Sequence, residues 1–121
     1  MFDFQKLDVY QKSKGFYIDT KTIIATIKLD NYIKDQLSRA AFSVPLNLAE
    51  GSGKFSKADR KNYYTTARAS IYECVAIMDI LQEEKKIAES VYQTQLNKAD
   101  ELSRILYSMT VSYTHLRAHK T

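Results

Sequence analysis

The sequence predicts an all-α protein, an antiparallel up-down-up-down four-helix bundle. Apolar residues recur at helical spacing through four long segments. The links between these segments are short, so each helix should return beside the one before it. One proline and three glycines among 121 residues leave little material for a turn-rich β architecture. The length is that of one domain with a single core.

The first helix is predicted from about Asp8 to Ile27. Val9, Phe16 and Ile23 recur there every seven residues, which gives a seam suited to a bundle. The polar link at residues 28–31 is short and returns the chain antiparallel.

The second helix is predicted from about Tyr32 to Glu50. Pro45 lies inside it and predicts a kink between Ala41 and Pro45, because proline lacks the backbone N–H and clashes with the preceding turn. The alternative is a helix that ends at Val44. Gly51 is interpreted as the left-handed residue that terminates this helix. The apolar positions that keep the helical period are Ile33, Leu37, Ala40, Ala41, Val44 and Leu48.

The third helix is predicted to begin after Ser56 as N-cap, with Asp59 in the place of the glutamate of a capping box, and to reach about Glu84. The fourth is expected from Glu89 or Ser90 to about Tyr113. Residues 1–113 therefore form the bundle domain. Residues 114–121 carry no apolar stripe and are predicted to be a C-terminal tail, disordered or non-native.

Composition favours a cytoplasmic, non-enzymatic protein without a cofactor. The only cysteine, Cys74, excludes an internal disulfide and fits a reducing compartment. No apolar run approaches the roughly 20 residues that cross a bilayer, so no membrane partner is expected. The two histidines, His115 and His119, both lie in the predicted tail. The bundle therefore lacks the histidine that a metal centre or a Ser-His or Cys-His pair requires.

A polar cluster is predicted between the second and third helices. Asn47 and Glu50 are three residues apart, as are Ser70 and Glu73, and Arg68 lies nearby. Antiparallel packing around the intervening turn would bring the two pairs together. The favoured interpretation is a hydrogen-bonded cluster that fixes helix register or a subunit contact. The other interpretation, acid–base catalysis by Glu50 and Glu73, lacks any group to bind an electrophile.

A basic patch lies at the start of the third helix and consists of Lys54, Lys57, Arg60 and Lys61, against Asp59 alone. The formal net charge of the chain is +4. One interpretation is a solvated helix start. The other is a site for the phosphates of RNA or DNA, since lysine and arginine side chains neutralise phosphate charge.

Nine tyrosines are too many for the core of one small bundle. Tyrosine combines rigid apolar area with a polar tip, so a subunit contact is the favoured use. Base stacking by Tyr63 or Tyr64 beside the basic patch is the competing use.

Three motifs resemble a known family, the four-helix bundle proteins encoded by intervening sequences within bacterial 23S ribosomal RNA genes. The first is FQKLDVY at residues 4–10, and the second is QLSRAAFSVPLNLAEG at residues 36–51. The third is ASIYE at residues 69–73. The resemblance covers roughly Phe4 to Tyr113 and is most specific through the second helix.

The resemblance implies a bundle that assembles as a ring, commonly a homopentamer, with no established enzymatic activity. It also implies kinship with the accessory protein of diversity-generating retroelements, a basic pentamer that binds its reverse transcriptase and nucleic acid. The chain departs from the family at Leu81-Gln82-Glu83-Glu84, where Leu-Gly is usual. It also has Lys54 where the family has arginine, which keeps the charge but loses bidentate geometry.

Together these observations predict a non-catalytic, self-assembling scaffold or adapter. Its expected partners are further copies of itself, and RNA, DNA or a nucleic-acid enzyme such as a reverse transcriptase. The alternative function is an RNA- or DNA-binding accessory protein that uses the basic patch.

Overall fold

The computed structural model describes the backbone of residues 2–119 and the side chains of residues 2–111. Over this part of the chain there are four α-helices and no strand, which confirms the predicted all-α class. The helices are α1 (Asp8–Thr26), α2 (Asn31–Ser52), α3 (Lys57–Glu83) and α4 (Glu89–His119), preceded by a short 3₁₀ helix at Asp3–Lys6.

The four helices pack in chain order around one core. The most extensive contact is between α2 and α3, followed by α3 with α4 and α1 with α2, and a thinner contact between α1 and α4 completes the bundle. Side-chain pairs fix the directions of the helices. Lys12 bonds Glu101 while Thr20 bonds Gln95, so α1 and α4 run antiparallel.

The core is apolar with a few satisfied polar side chains. The Nε2 of buried Gln95 donates to Thr20 Oγ1 over 3.2 Å, and Thr20 Oγ1 donates to Phe16 O over 2.8 Å. Among the described side chains, no buried nitrogen or oxygen is left without a partner. The largest fully buried apolar side chains are Phe16, Leu37, Leu48, Ile71, Met78, Leu81, Leu102 and Leu106.

Helix α2 passes through Pro45 without ending, so the alternative end at Val44 is wrong. Pro45 is buried together with Val44 and Ala41. The kink between Ala41 and Pro45 stays a prediction.

Gly51 is not the left-handed residue that ends α2, and that prediction is wrong. It lies inside the helix, which ends at Ser52 and is followed by Gly53 as C-cap with a φ of −86°, and none of the described glycines has a positive φ. A Cβ placed on Gly51 would lie 2.8 Å from Tyr63 Cβ and 2.9 Å from Tyr64 Cε1. Glycine stands here because α2 and α3 approach too closely for a side chain.

The two ends of α3 are set by local hydrogen bonds. Ser56 Oγ accepts the Asp59 N–H at 3.0 Å, which confirms the predicted cap. At the other end Lys85 adopts a positive φ of 58°. The N–H of Lys86 donates to Leu81 O over 2.8 Å, and that of Lys85 donates to Gln82 O over 3.0 Å, which is the Schellman pattern.

Helix α4 continues past the expected end at Tyr113 to His119. The predicted tail at residues 114–121 falls outside the residues whose side chains the structure describes, and stays a prediction.

Candidate functional site

A row of polar side chains lies across the outer side of the α2–α3 pair. Ser43 Oγ and Ser70 Oγ share a hydrogen bond of 2.8 Å between the two helices. Asn47 Nδ2 donates to Ser43 O over 2.8 Å and to Ser43 Oγ over 2.9 Å. Ser70 Oγ also donates to Thr66 O over 3.1 Å. The structure thus joins Asn47 to Ser70, as predicted for the cluster, but through Ser43.

Ser43 was missed by the sequence analysis. It lies one helical turn before Asn47 on the same face, and that spacing was the available signal.

The other three predicted cluster members lie elsewhere. Glu50 and Glu73 are exposed. Arg68 faces α4, where its Nε donates to Ser103 O over 3.1 Å and its Nη2 donates to Tyr72 OH over 3.0 Å. The five residues therefore do not form one site.

Arg68 is held between two tyrosine rings on the α3–α4 face. Its guanidinium carbon lies 4.9 Å from the ring centroid of Tyr72 and 5.2 Å from that of Tyr107. Such cation–π contacts favour a fixed guanidinium orientation. The side chain borders an open groove of about 360 Å³, lined also by Thr65, Ala69 and Thr110.

An exposed apolar stripe runs along α3 beside this groove. We name the α3 stripe for Ala69, Tyr72, Ala76 and Ile80, which recur every three or four residues on one face. Tyr72 is 57% exposed and Ile80 58%. These side chains point away from the core, which lies on the face of Ile71, Cys74, Met78 and Leu81.

A second stripe of exposed apolar side chains lies on α2, interrupted by the exposed Asp35 and Arg39. We name the α2 stripe for Tyr32, Phe42 and Leu46, which are 69%, 47% and 43% exposed. The ring of Phe42 packs at 5.0 Å against Tyr17 of α1. The α2 stripe therefore borders α1, whereas the α3 stripe borders α4.

The basic patch surrounds the loop between α2 and α3. Lys54 and Lys57 are exposed, while Arg60 and Lys61 are half-buried. Arg60 Nη1 donates to Lys54 O and to Phe55 O, both over 2.9 Å, so Arg60 orders the loop. Lys54 Nζ lies 5.2 Å from the centroid of a tyrosine ring, that of Tyr63.

Phe55 is the most exposed large apolar residue described in the protein, at 103% of the reference area. It projects from the loop between Lys54 and Lys57. Phe55 was not among the predicted site residues, although a phenylalanine between the glycines and the helix cap cannot lie on an apolar helix face.

Most of the described tyrosines lie outside the core, as their number predicted. Among those with described side chains Tyr64 alone is buried, and Tyr63 is half-buried. Tyr32, Tyr72 and Tyr107 are exposed. The exposed ones lie beside the apolar stripes, away from the basic loop.

Cys74 is buried in the core. Burial raises the pKa of its thiol to about 12, and the nearby Glu73 carboxylate adds to that rise. The side chain is therefore a neutral core residue near neutral pH.

The part of the chain that the structure describes contains neither a metal-binding cluster nor a membrane-spanning helix. No three of its histidine, cysteine, aspartate or glutamate residues are grouped so as to hold a metal ion. None of its helices combines the length and apolar character needed to cross a bilayer.

Comparison with known proteins gives a family and a fold. No curated protein matches the sequence. One solved structure is a protein of unknown function from the S23 ribosomal protein family of Bacteroides thetaiotaomicron VPI-5482. It shares 21% identity, covers 84% of this chain and 97% of its own, and has a TM-score of 0.79, which shows a common fold. The family model for 23S rRNA-intervening sequence protein matches residues 5–108, so the chain belongs to the 23S rRNA-intervening sequence protein family.

Proposed function

We propose that the protein is a non-catalytic, self-assembling bundle, a ring-like homo-oligomer that serves as a scaffold or adapter in the bacterial cytoplasm. The observation that carries the proposal is the pair of exposed apolar stripes on α2 and α3. A monomer would leave both stripes in water, whereas contact with further copies removes them from water.

The residue types along the stripes support a protein contact. Tyrosine, phenylalanine and arginine are enriched at the centres of protein interfaces. Tyr72, Tyr107 and the ordered Arg68 form such a group on the α3–α4 face. The proposed subunit number is five, which rests on the resemblance of the motifs to the pentameric ring proteins.

The exposure of the two candidate catalytic carboxylates supports a scaffold or adapter role over an enzymatic one. Glu50 and Glu73, the pair that acid–base catalysis would need, are both exposed. Exposed side chains of this kind do not line a site from which water is excluded. We therefore propose no reaction and no cofactor.

Native mass spectrometry and light scattering test the assembly. We expect a single species at micromolar concentration with the mass of five 14.0 kDa chains. A monomer under these conditions would overturn the proposal, and a stable species of another size would overturn the pentamer alone.

The second candidate function is binding of single-stranded RNA or DNA by the α2–α3 loop. Its specific support is Phe55, fully exposed between Lys54 and Lys57. An aromatic side chain can stack on a base while the flanking lysines neutralise phosphates. A nucleic-acid enzyme such as a reverse transcriptase would then be a natural partner of the adapter.

Fluorescence anisotropy with a labelled single-stranded RNA tests this candidate. We expect binding that weakens steeply with salt and falls about tenfold or more in Phe55→Ala. Lys54→Gln with Lys57→Gln should reduce both the affinity and its salt dependence. The matched control is Lys21→Gln on the exposed side of α1. No binding at low salt would remove the candidate.

A further inference from the structure

We infer that the subunit contact is heterologous, with the α2 stripe of one copy packed on the α3 stripe of the next. This inference rests on the proposed self-assembly and specifies its interface. It follows from the positions of the stripes, their heights along the bundle, and the charges beside them.

The two stripes face different directions. The ring of Phe42 in the α2 stripe packs against the ring of Tyr17 of α1. Tyr72 of the α3 stripe contacts Arg68, which bonds Ser103 on α4. One chain therefore cannot cover its own stripes, but each copy can contact two neighbours, one through each stripe.

The heights of the two stripes coincide. Hydrogen bonds between Ser43 and Ser70 and between Ser52 and Tyr64 mark residues at equal height on α2 and α3. Each residue adds about 1.5 Å along its helix, in opposite directions because the helices are antiparallel. Counting from these bonds places Phe42 level with Tyr72 and Leu46 level with Ala69, while Tyr32 lies slightly beyond the level of Ile80.

Equal heights matter because rotation about an axis parallel to the bundle does not change height. In a ring with such an axis, each residue of the α2 stripe meets the α3 residue at its own level. Phe42 and Leu46 are large, whereas Ala69 and Ala76 on the facing stripe are small. In this register the small Ala69 faces Leu46, and the rings of Phe42 and Tyr72 face each other, an aromatic pairing that is favourable at an interface.

The charges beside the stripes also complement each other. Arg39 lies one turn from Phe42 on the exposed side of α2. On the facing α3, the exposed carboxylates of Glu73 and Asp79 lie on either side of the level of Arg39, each within about one turn of it. The register also brings Asp35 level with Asp79, a like-charge pair that weakens the contact.

The same arrangement explains the polar row between α2 and α3. The two stripes lie on adjacent helices and flank the face that carries Ser43, Asn47 and Ser70. When neighbours attach on both sides of this face, it turns towards the ring axis. A heterologous contact that repeats by rotation closes into a ring, and the polar row then lines its central opening.

Paired surface variants test the inference. Phe42→Glu with Leu46→Glu disables the α2 stripe, and Ala69→Glu with Ala76→Glu disables the α3 stripe. Each variant alone should be monomeric, because a ring needs both stripes. Their equimolar mixture should form a dimer of two 14.0 kDa chains and nothing larger, since one intact α2 stripe meets one intact α3 stripe.

Ile18→Glu is the matched control, since Ile18 is 54% exposed on α1 outside both stripes, and it should assemble as the unaltered chain does. Circular dichroism checks that every variant stays helical. If the α2 variant alone remains a dimer, the α3 stripes pair with each other and the inference is wrong while self-assembly survives. A monomeric unaltered chain would instead refute self-assembly itself.

Disulfide trapping gives a second test that does not depend on disrupting the assembly. In a Cys74→Ala background, Leu46→Cys with Ala69→Cys should oxidise to a ladder of covalent multimers. Each single cysteine should give no ladder. Cross-linking by the single Leu46→Cys variant, or no cross-linking by the pair in an assembled protein, would overturn the inference.

Two neighbouring charges should have opposite effects on the assembly. Arg39→Glu should raise the dissociation constant about tenfold or more, because it places a third carboxylate beside Glu73 and Asp79. Asp35→Asn should lower it about twofold to fivefold by removing a like-charge pair. Equal effects of the two substitutions would show that this register is wrong.

Discussion

The two glycines in helix interiors, Gly15 and Gly51, differ in how closely the rest of the protein packs against them. Gly51 lies against Tyr63 and Tyr64 of α3, and a Cβ there would come within 3 Å of both side chains. A Cβ on Gly15 would have nothing within 4 Å. Both glycines cost helix propensity, but only Gly51 is required by close packing.

We expect Gly51→Ala to lower the free energy of unfolding by about 1–3 kcal/mol, because the added methyl group overpacks the α2–α3 contact. Gly15→Ala should raise it by up to about 1 kcal/mol through helix propensity. Urea denaturation followed by circular dichroism measures both. Equal effects of the two substitutions would contradict this account.

Cys74 is expected to be chemically inert in the folded protein. Its pKa is raised to about 12 by burial, so it stays protonated at pH 8, and the thiolate is the reactive form. Reaction with a thiol reagent at pH 8 should require unfolding and should become fast in concentrated guanidinium. Rapid labelling of the native protein would show that the site opens locally.

Helix α3 ends without the glycine that usually follows a helix in this kind of turn. The left-handed position of a Schellman motif is usually occupied by glycine, because a side chain is strained there. Lys85 holds this position here with a φ of 58°. The hydrogen bond from Lys86 N–H to Leu81 O still forms, so the turn stays well defined despite the departure from Leu-Gly.

Lys85→Gly should therefore stabilise the protein by roughly 0.5–1 kcal/mol, because it relieves the strain of a positive φ. Lys86→Gly is the control and should be neutral or destabilising, since Lys86 has no positive φ. Thermal melts at equal salt would compare the two, and a loss of stability in Lys85→Gly would refute the strain.

At the scale of the whole molecule, the thin contact between α1 and α4 depends on polar pairing. Gln95 and Thr20 meet in the core, and Lys98 and Lys12 bridge the same two helices outside it through Asp19 and Glu101. The exposed ion pairs contribute little. The buried pair matters more, because breaking it leaves a buried amide unsatisfied.

Thr20→Val should lower the free energy of unfolding by about 1–3 kcal/mol, since it removes the oxygen that Gln95 Nε2 bonds. Thr20→Val combined with Gln95→Leu should recover much of this loss, because both partners are then apolar. A double-mutant cycle measured in urea gives the coupling. Additive losses would show that the two side chains do not interact energetically.

Much of the fold follows from local pattern. The helical spacing of apolar residues predicted all four helices to within about two residues at most of their ends, and Ser56 marked the start of α3. The end of α4 and the role of Gly51 were missed. Gly51 could not be predicted from its neighbours in sequence, because its constraint comes from the side chains of another helix.

The candidate site was also predicted only in part by the sequence, and tertiary packing determined the rest. Periodicity alone placed Asn47 and Ser70 on helix faces that meet, because residues three or four apart share a face. Packing decided that Ser43 joins them, that Arg68 turns to α4 between two tyrosines, and that Glu50 and Glu73 face water. Those outcomes depend on the rotation of each helix about its axis, which contacts between distant residues determine and no local stretch encodes.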